Sequence, residues 1–197
     1  MANFVQSKNQ EFMKKLLILI CCITFGSIVK AQTLEGSLAV LLDESRINFE
    51  LHFANARIHG MTELEFAKHE EDWYKDMPQI VGDFVNDLND EMKGVVRFGE
   101  YPSARYTLLI NVVEVATNGH MDSDAFLINN VNGNIVAKVT GLQAKSAPWG
   151  TKLYLIKVAA SRSGEKLGEL FYKALKKGQF TTTVEISNNL GNVKNKE

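Results

Sequence analysis

The first residues in this chain that could carry chemistry are His69 and the acidic residues after it. His69 is followed by Glu70, Glu71 and Asp72, which superficially resembles the helix of zinc proteases. That motif requires a second histidine four residues on, so that both imidazoles share one helix face. Trp73 occupies that position, and the pattern therefore predicts a solvated acidic helix face.

A second group combines one histidine with two aspartates near a predicted turn. His120 precedes Asp122 and Asp124, and residues two positions apart share one face of a strand. Such nitrogen and oxygen ligands suit a divalent cation. An exposed strand start with solubilising charges explains the same pattern, so we expect no metal and no cofactor. If the chain does hold a metal site, these three residues are the candidates.

No nucleophile has the sequence context that catalysis requires. Both cysteines, Cys21 and Cys22, lie in an N-terminal apolar stretch whose removal would leave a chain without any thiol. The sequence contains no Gly-x-Ser-x-Gly elbow, phosphate-binding loop or dinucleotide fingerprint. We therefore expect a protein that is not an enzyme. A small hydrolase, or a protein that binds a small ligand or metal, is the alternative.

Aromatic residues in loops are better candidates for binding. Trp149 lies in the segment Ser146–Gly150, and Tyr101 precedes Pro102 at a break between strands. Aromatic side chains are enriched among the residues that carry binding energy at protein interfaces. Trp149 and Tyr101 could equally close the end of a hydrophobic core, and the sequence leaves both roles open.

The N-terminal region has the pattern of a secretory signal peptide. Met13 and two lysines begin it, residues 16–29 are apolar, and Ala31 is a small residue at the expected cleavage edge. The apolar run is shorter than the roughly 20 residues that span a membrane. We predict a signal peptide at 13–31, an upstream extension at 1–12, and a periplasmic or secreted product with no transmembrane span after cleavage. An uncleaved anchor and a lipidated cysteine are the alternatives.

The rest of the chain has the composition of one globular domain. Of the 197 residues, 45% are hydrophobic and 23% are charged. Residues 32–197 carry a net charge of −4, which offers no electrostatic attraction to nucleic acid. We place a single α/β domain at 32–178 and a polar tail at 179–197. Alternating residues from Phe180 to Ile186 could add one edge strand to the domain.

Alternating or continuous apolar runs predict the strands. They are expected at 37–42, 46–53, 95–98, 106–116, 122–129 and 135–142. The run at 106–116 is apolar on both faces, as is typical of a central strand. Asn132 and Gly133 separate the last two runs and predict a β-hairpin, so the last three strands should form a meander.

The first two helices are predicted from their capping and stop signals. Thr62 and Glu65 form a capping box for a helix at 62–75. Pro78 suits the first turn of a second helix, which should end at Gly94.

A third helix is predicted at 151–177. Its small residues Ala160, Gly164 and Gly168 recur every four positions, which would let the helix approach a sheet closely. Together the elements predict an α+β fold. We expect a two-layer sandwich in which a mainly antiparallel sheet of about four or five strands carries two main helices on one face.

Several segments of this chain resemble a group of uncharacterised exported Bacteroidetes proteins. The segments are 47–53, Ala54–Gly60, Glu71–Trp73, Arg97–Tyr101, Ala104–Leu108 and Gly164–Gly168. The resemblance covers about residues 46–177 and carries no known chemistry. The architecture is more remotely similar to the N-terminal domain of TolB and to curli-secretion accessory lipoproteins, which is an analogy of fold alone. We therefore expect an exported accessory or binding domain of the cell envelope. Its partner would be another envelope protein, and its oligomeric state is open.

Overall fold

The computed structural model describes residues 32–178 and 184–186. The predicted signal peptide at 13–31, the predicted extension at 1–12 and most of the predicted tail at 179–197 lie outside these residues. Within the described ranges, no helix is both long enough and apolar enough to cross a membrane.

The described residues form eight strands and four helices. The strands are β1 (Gln32–Gly36), β2 (Arg46–His52), β3 (Arg57–Ile58), β4 (Arg97–Gly99), β5 (Tyr106–Val115), β6 (Met121–Asn129), β7 (Ile135–Ala144) and β8 (Val184–Ile186). The helices are α1 (Val40–Asp43), α2 (Glu63–His69), α3 (Trp73–Met92) and α4 (Lys152–Lys176).

All eight strands belong to one mixed sheet. Its order is β4-β2-β5-β6-β7-β1-β8, with β3 also paired to β5. β2 is parallel to both β4 and β5, and β3 is parallel to β5, whereas the remaining pairs are antiparallel. The parallel pairs arise because α2 and α3 follow β2, and a helical crossover returns the chain in the same direction.

The α+β class is confirmed, but the predicted sheet of about four or five strands is too small. β1 and β3, which the sequence did not predict, have five residues or fewer. Strands this short contain too few alternating apolar and polar residues to show the two-residue period of a β-strand. Their pairing is decided by residues distant in the sequence, such as Thr33 opposite Thr140.

The predicted first strand at 37–42 is wrong. These residues form a turn and the start of α1, while β1 lies before them. Leu38 and Leu41 are three positions apart, and the N–H of Leu41 donates to the carbonyl of Leu38. Both side chains are buried. The apolar run is therefore one helical turn that directs two leucines into the core.

The boundary between the first two helices also differs from the prediction. The capping box of Thr62 and Glu65 is confirmed. However, α3 begins at Trp73, and Pro78 lies inside that helix rather than at its start. Pro78 removes one helical hydrogen bond. Burial of Trp73, whose ring lies edge-on to Phe66 at 5.2 Å, fixes the helix start upstream of the proline.

α3 and α4 pack side by side and run in the same direction. Lys157 pairs with Asp76 near the starts of the two helices, and Gly164 and Gly168 lie against α3 further along. A Cβ atom added at Gly164 would lie 2.1 Å from the carbonyl oxygen of Phe84. The glycines therefore allow the two helices to approach each other, and the expectation that they face the sheet is wrong.

The hydrophobic core lies between the helices and one face of the sheet. On the central strand β5, Leu108, Ile110 and Val112 are fully buried, whereas Val113 on the other face is 42% exposed. A β-bulge after Val112 then turns Val115 back into the core. The central position of this strand is confirmed, but its second face is only partly covered.

Candidate functional site

The two aromatic residues predicted to bind lie at opposite ends of the sheet. Tyr101 belongs to the loop that enters β5 at Tyr106, the end at which β6 and β7 form their hairpin. Trp149 follows β7, whose last residue, Ala144, pairs with Met121 at the other end of β6. The two side chains therefore do not form one site.

Tyr101 has a structural role in its loop. Its N–H donates to the Oδ1 atom of Asn48, 3.0 Å away. The Arg46 guanidinium lies 5.2 Å from the centre of its ring, a distance typical of a cation–π contact. A Cβ atom added at Gly99 would lie 3.2 Å from the same ring. Tyr101 thus holds the loop after β4 against β2.

Trp149 is 79% exposed and lies in a loop whose first residues are hydrogen-bonded to α4. The Ser146 hydroxyl donates to the carbonyl of Leu155. The Arg162 guanidinium donates to the carbonyls of Lys145, at 3.0 Å, and Ser146, at 2.8 Å. These three hydrogen bonds fix the base of the loop, and the indole projects from it into solvent.

Gly150, between Trp149 and the start of α4, has a backbone conformation and surroundings that only glycine suits. Gly150 has a φ of 147°, and an added Cβ atom would lie 2.3 Å from the ring of Tyr154. Thr151 caps the helix, with its hydroxyl accepting the N–H of Tyr154. Tyr154 itself is 49% exposed. The first turn of α4 therefore presents a second exposed aromatic ring, five residues after Trp149.

Two more exposed apolar side chains lie at this end of the domain. Leu64 and Tyr74, in the first turns of α2 and α3, are 63% and 60% exposed. α4 begins at the same end, because Lys152 forms an ion pair with Glu70 at 2.6 Å. Exposed apolar side chains at one end of a domain offer contact area to a partner. We call Leu64, Tyr74, Trp149 and Tyr154 the aromatic end.

His59 lies near the same ion pair. Its φ of 53° is in the left-handed region, and its ring lies edge-on to Phe66 at 5.4 Å. The Nε2 atom is buried, and no described residue forms a hydrogen bond with it. Burial lowers the pKa of His59, the positive charge of Lys152 lowers it further, and Glu70 opposes both effects. A histidine that resists protonation therefore lies beside the Lys152–Glu70 ion pair.

The three candidate metal ligands are engaged with other parts of the chain. The His120 ring lies 3.4 Å from the Asn118 amide, and Asp122 accepts a hydrogen bond from the Gln143 amide at 3.3 Å. Asp124 accepts a backbone N–H from β7 at 3.0 Å. Among the residues that the structure describes, no three His, Cys, Asp or Glu side chains are grouped so that they could hold a metal ion.

The sequence predicts aromatic binding residues at Trp149 and Tyr101, and the structure also exposes Tyr74 and Tyr154. Tyr74 directly follows the buried Trp73, and Tyr154 lies two positions before the buried Ile156. Helical spacing alone places both tyrosines off the buried side of their helices. Both tyrosines lie within helices that the sequence predicts, at 62–75 and 151–177, so this spacing was an available signal.

Comparison with known proteins yields similar folds only. No protein-family model and no curated protein matches the chain. A dodecameric variant of PelC from Paraburkholderia phytofirmans is 19% identical, with a TM-score of 0.43 over 71% of this chain and 97% of that chain. A second PelC dodecamer structure is 16% identical, with a TM-score of 0.41 over 70% of this chain and 96% of that chain.

A protein of the family DUF330 from Xanthomonas campestris is also similar. It is 11% identical, with a TM-score of 0.37 over 74% of this chain and 94% of that chain. At these identities and TM-scores, no function follows from the likeness. The resemblance to exported Bacteroidetes proteins and to TolB stays a prediction.

Proposed function

We propose that this chain is an exported accessory domain of the bacterial envelope that binds another protein through the aromatic end. The observation that carries the proposal is the 79% exposure of Trp149 on a loop with a fixed base. Tryptophan is the residue type most often found at binding hot spots, where burial of its large apolar surface supplies much of the affinity.

The fixed loop base favours binding because it reduces the entropy lost on association. An immobilised flexible side chain costs about 0.5–1.5 kcal/mol, and a mobile loop costs more. The contacts made by Ser146 and Arg162 already hold the backbone on which Trp149 is carried. A partner would therefore meet a largely preorganised surface.

Export is supported by the sequence pattern at 13–31. Residues 32–197 contain no cysteine, so the domain does not depend on the redox state of its compartment. The acid–base or metal chemistry of the alternative function gains no specific support, since His120, Asp122 and Asp124 each contact other groups of the chain.

The proposal is tested by affinity capture from envelope extracts of the source cells, with Trp149→Ala compared to wild type. Val131→Ala is the matched control, because Val131 is 80% exposed and lies in the hairpin at the opposite end of the sheet. Loss of a hot-spot residue costs about 2 kcal/mol or more, which lowers affinity about 30-fold. We expect Trp149→Ala to release the captured protein and Val131→Ala to retain it. Equal retention by both variants, or no captured protein, contradicts the proposal.

A further inference from the structure

Beyond the end of β4, no described strand pairs with the outer backbone edge of β2. β4 ends at Gly99, opposite Asn48. The N–H of Arg97 donates to the carbonyl of Ser45 at 3.2 Å, so odd-numbered residues of β2 direct their backbone groups toward β4. The N–H and C=O of Leu51 point the same way, and no described strand lies opposite them.

The outer edge of β4, on the same side of the sheet, is already protected by a side chain of α3. Asn89 on α3 donates its side-chain N–H to the carbonyl of Phe98 at 2.9 Å, and its Oδ1 atom accepts the N–H of Phe98 at 2.8 Å. The side-chain amide thus takes the place of a neighbouring strand and protects the outer edge of β4. The edge at Leu51 has no such protection from a described side chain.

A groove of about 500 Å³ lies beside Phe49 and Glu50, the residues of β2 that directly precede Leu51. Residues of β2, α3 and the loop after β4 line it, including Val81, Gly82, Val85 and Glu100. The α3 wall is apolar. The charged residues of the lining are Glu50 and Glu100, and both are exposed.

Gly82 in the α3 wall is not required by packing within the domain. A Cβ atom added there meets no described heavy atom within 4 Å, whereas one added at Gly164 would clash with the backbone of α3. Glycine in a helix interior costs about 1 kcal/mol relative to alanine. Glycine at position 82 therefore lowers helix stability without gaining a packing contact. It also keeps this part of the groove free of a side chain.

We propose that this groove binds an extended peptide segment of a partner protein by β-strand addition to β2. The peptide backbone would pair with the N–H and C=O of Leu51, taking the place that β4 leaves vacant. Alternate side chains of an added strand point to opposite faces. Apolar residues would therefore face Val81 and Val85, and lysine or arginine would face Glu50 and Glu100.

The probe is a library of synthetic hexapeptides in which valine, leucine or isoleucine alternates with lysine or arginine. A matched library replaces the basic residues with glutamate. Using the full chain, we expect binding by the basic library at least about tenfold tighter than by the acidic library. Hydrogen exchange at the Leu51 amide should slow by about tenfold or more when the peptide is bound. No binding tighter than about 1 mM, equal binding of both libraries, or unchanged exchange at Leu51 would overturn the proposal.

Variants separate this groove from the aromatic end. Gly82→Leu should fill the groove and weaken peptide binding about tenfold or more, whereas Asn86→Leu, on an exposed position of the same helix outside the groove, should not. Trp149→Ala should leave peptide binding unchanged, so the two proposed sites can fail separately. If Gly82→Leu does not fold, Glu100→Lys must weaken binding of the basic peptides. Wild-type affinity in the folded Gly82→Leu variant, or in Glu100→Lys, would refute the assignment.

Discussion

The same substitution should have opposite effects at two helical glycines, Gly82 in α3 and Gly164 in α4. Alanine at Gly82 gains helix propensity, and its methyl group enters open space. We therefore expect Gly82→Ala to stabilise the folded state by about 1 kcal/mol. Alanine at Gly164 gains the same propensity but places its Cβ atom 2.1 Å from the Phe84 carbonyl oxygen and 3.2 Å from the Leu88 nitrogen.

The contact at Gly164 cannot be relieved by rotating a side chain, because both neighbouring atoms belong to the backbone of α3. The two helices would have to separate by more than about 1 Å at this point, since carbon and oxygen atoms pack about 3.3–3.6 Å apart. Overpacking in a core costs about 1–3 kcal/mol, and a backbone clash belongs at the upper end of that range. After subtraction of the propensity gain, Gly164→Ala should destabilise the protein by about 2 kcal/mol.

Urea unfolding followed by far-ultraviolet circular dichroism measures both effects. With a slope of about 2 kcal/mol per molar urea, the midpoint should rise by about 0.5 M for Gly82→Ala and fall by about 1 M for Gly164→Ala. A rise in midpoint for Gly164→Ala would show that the two helices are not in backbone contact at this position. The parallel packing of α3 against α4 would then be wrong.

Three further predictions concern other parts of the domain. Trp73 and Trp149 are the two tryptophans of the chain, and acrylamide should quench the fluorescence of the exposed Trp149 strongly and that of the fully buried Trp73 weakly. Trp149→Phe should therefore remove most of the quenching. Strong quenching in the Trp149→Phe protein would contradict the burial of Trp73. The folded-state pKa of His59 lies below its unfolded value, so the unfolded chain binds more protons and stability falls as the pH drops through about 6.5. His59→Asn, which suits the left-handed backbone, should therefore lose less stability than wild type between about pH 7 and pH 5, and equal losses in urea titrations would refute this. Asn89→Ala leaves the N–H and C=O of Phe98 without their partner, so the free energy of unfolding should fall by about 1–3 kcal/mol in urea titrations. A change near zero would show that the Asn89 amide does not stabilise the outer edge of β4.

The long elements of the fold could be predicted from the sequence because their periodicity extends over many residues. α4 was expected at 151–177 and spans 152–176, and the turn at Asn132 and Gly133 joins β6 to β7 as predicted. The short strands β1 and β3 could not be predicted in the same way. The parallel pairing of β2 with β4 and β5 depends on the path of two helices between them, which local patterns do not describe.

The candidate site was predictable only in part. The sequence placed Trp149 in a loop but left open whether its ring closes the core or faces solvent. The answer depends on Arg162, which lies on the second turn beyond Ile156 and reaches back to the loop carbonyls of Lys145 and Ser146. No sequence motif marks such a contact, because any arginine on an exposed helix face has the same local appearance.

Site-specific photo-cross-linking in intact cells tests most directly whether the aromatic end binds a partner protein. A photoreactive aromatic amino acid is placed at Trp149 and, as a matched control, at the equally exposed Val131. We predict a discrete adduct with one envelope protein from position 149 and none from position 131. The yield of that adduct should fall when Arg162→Ala releases the base of the loop. No adduct from position 149, or the same adducts from both positions, would contradict the proposed function.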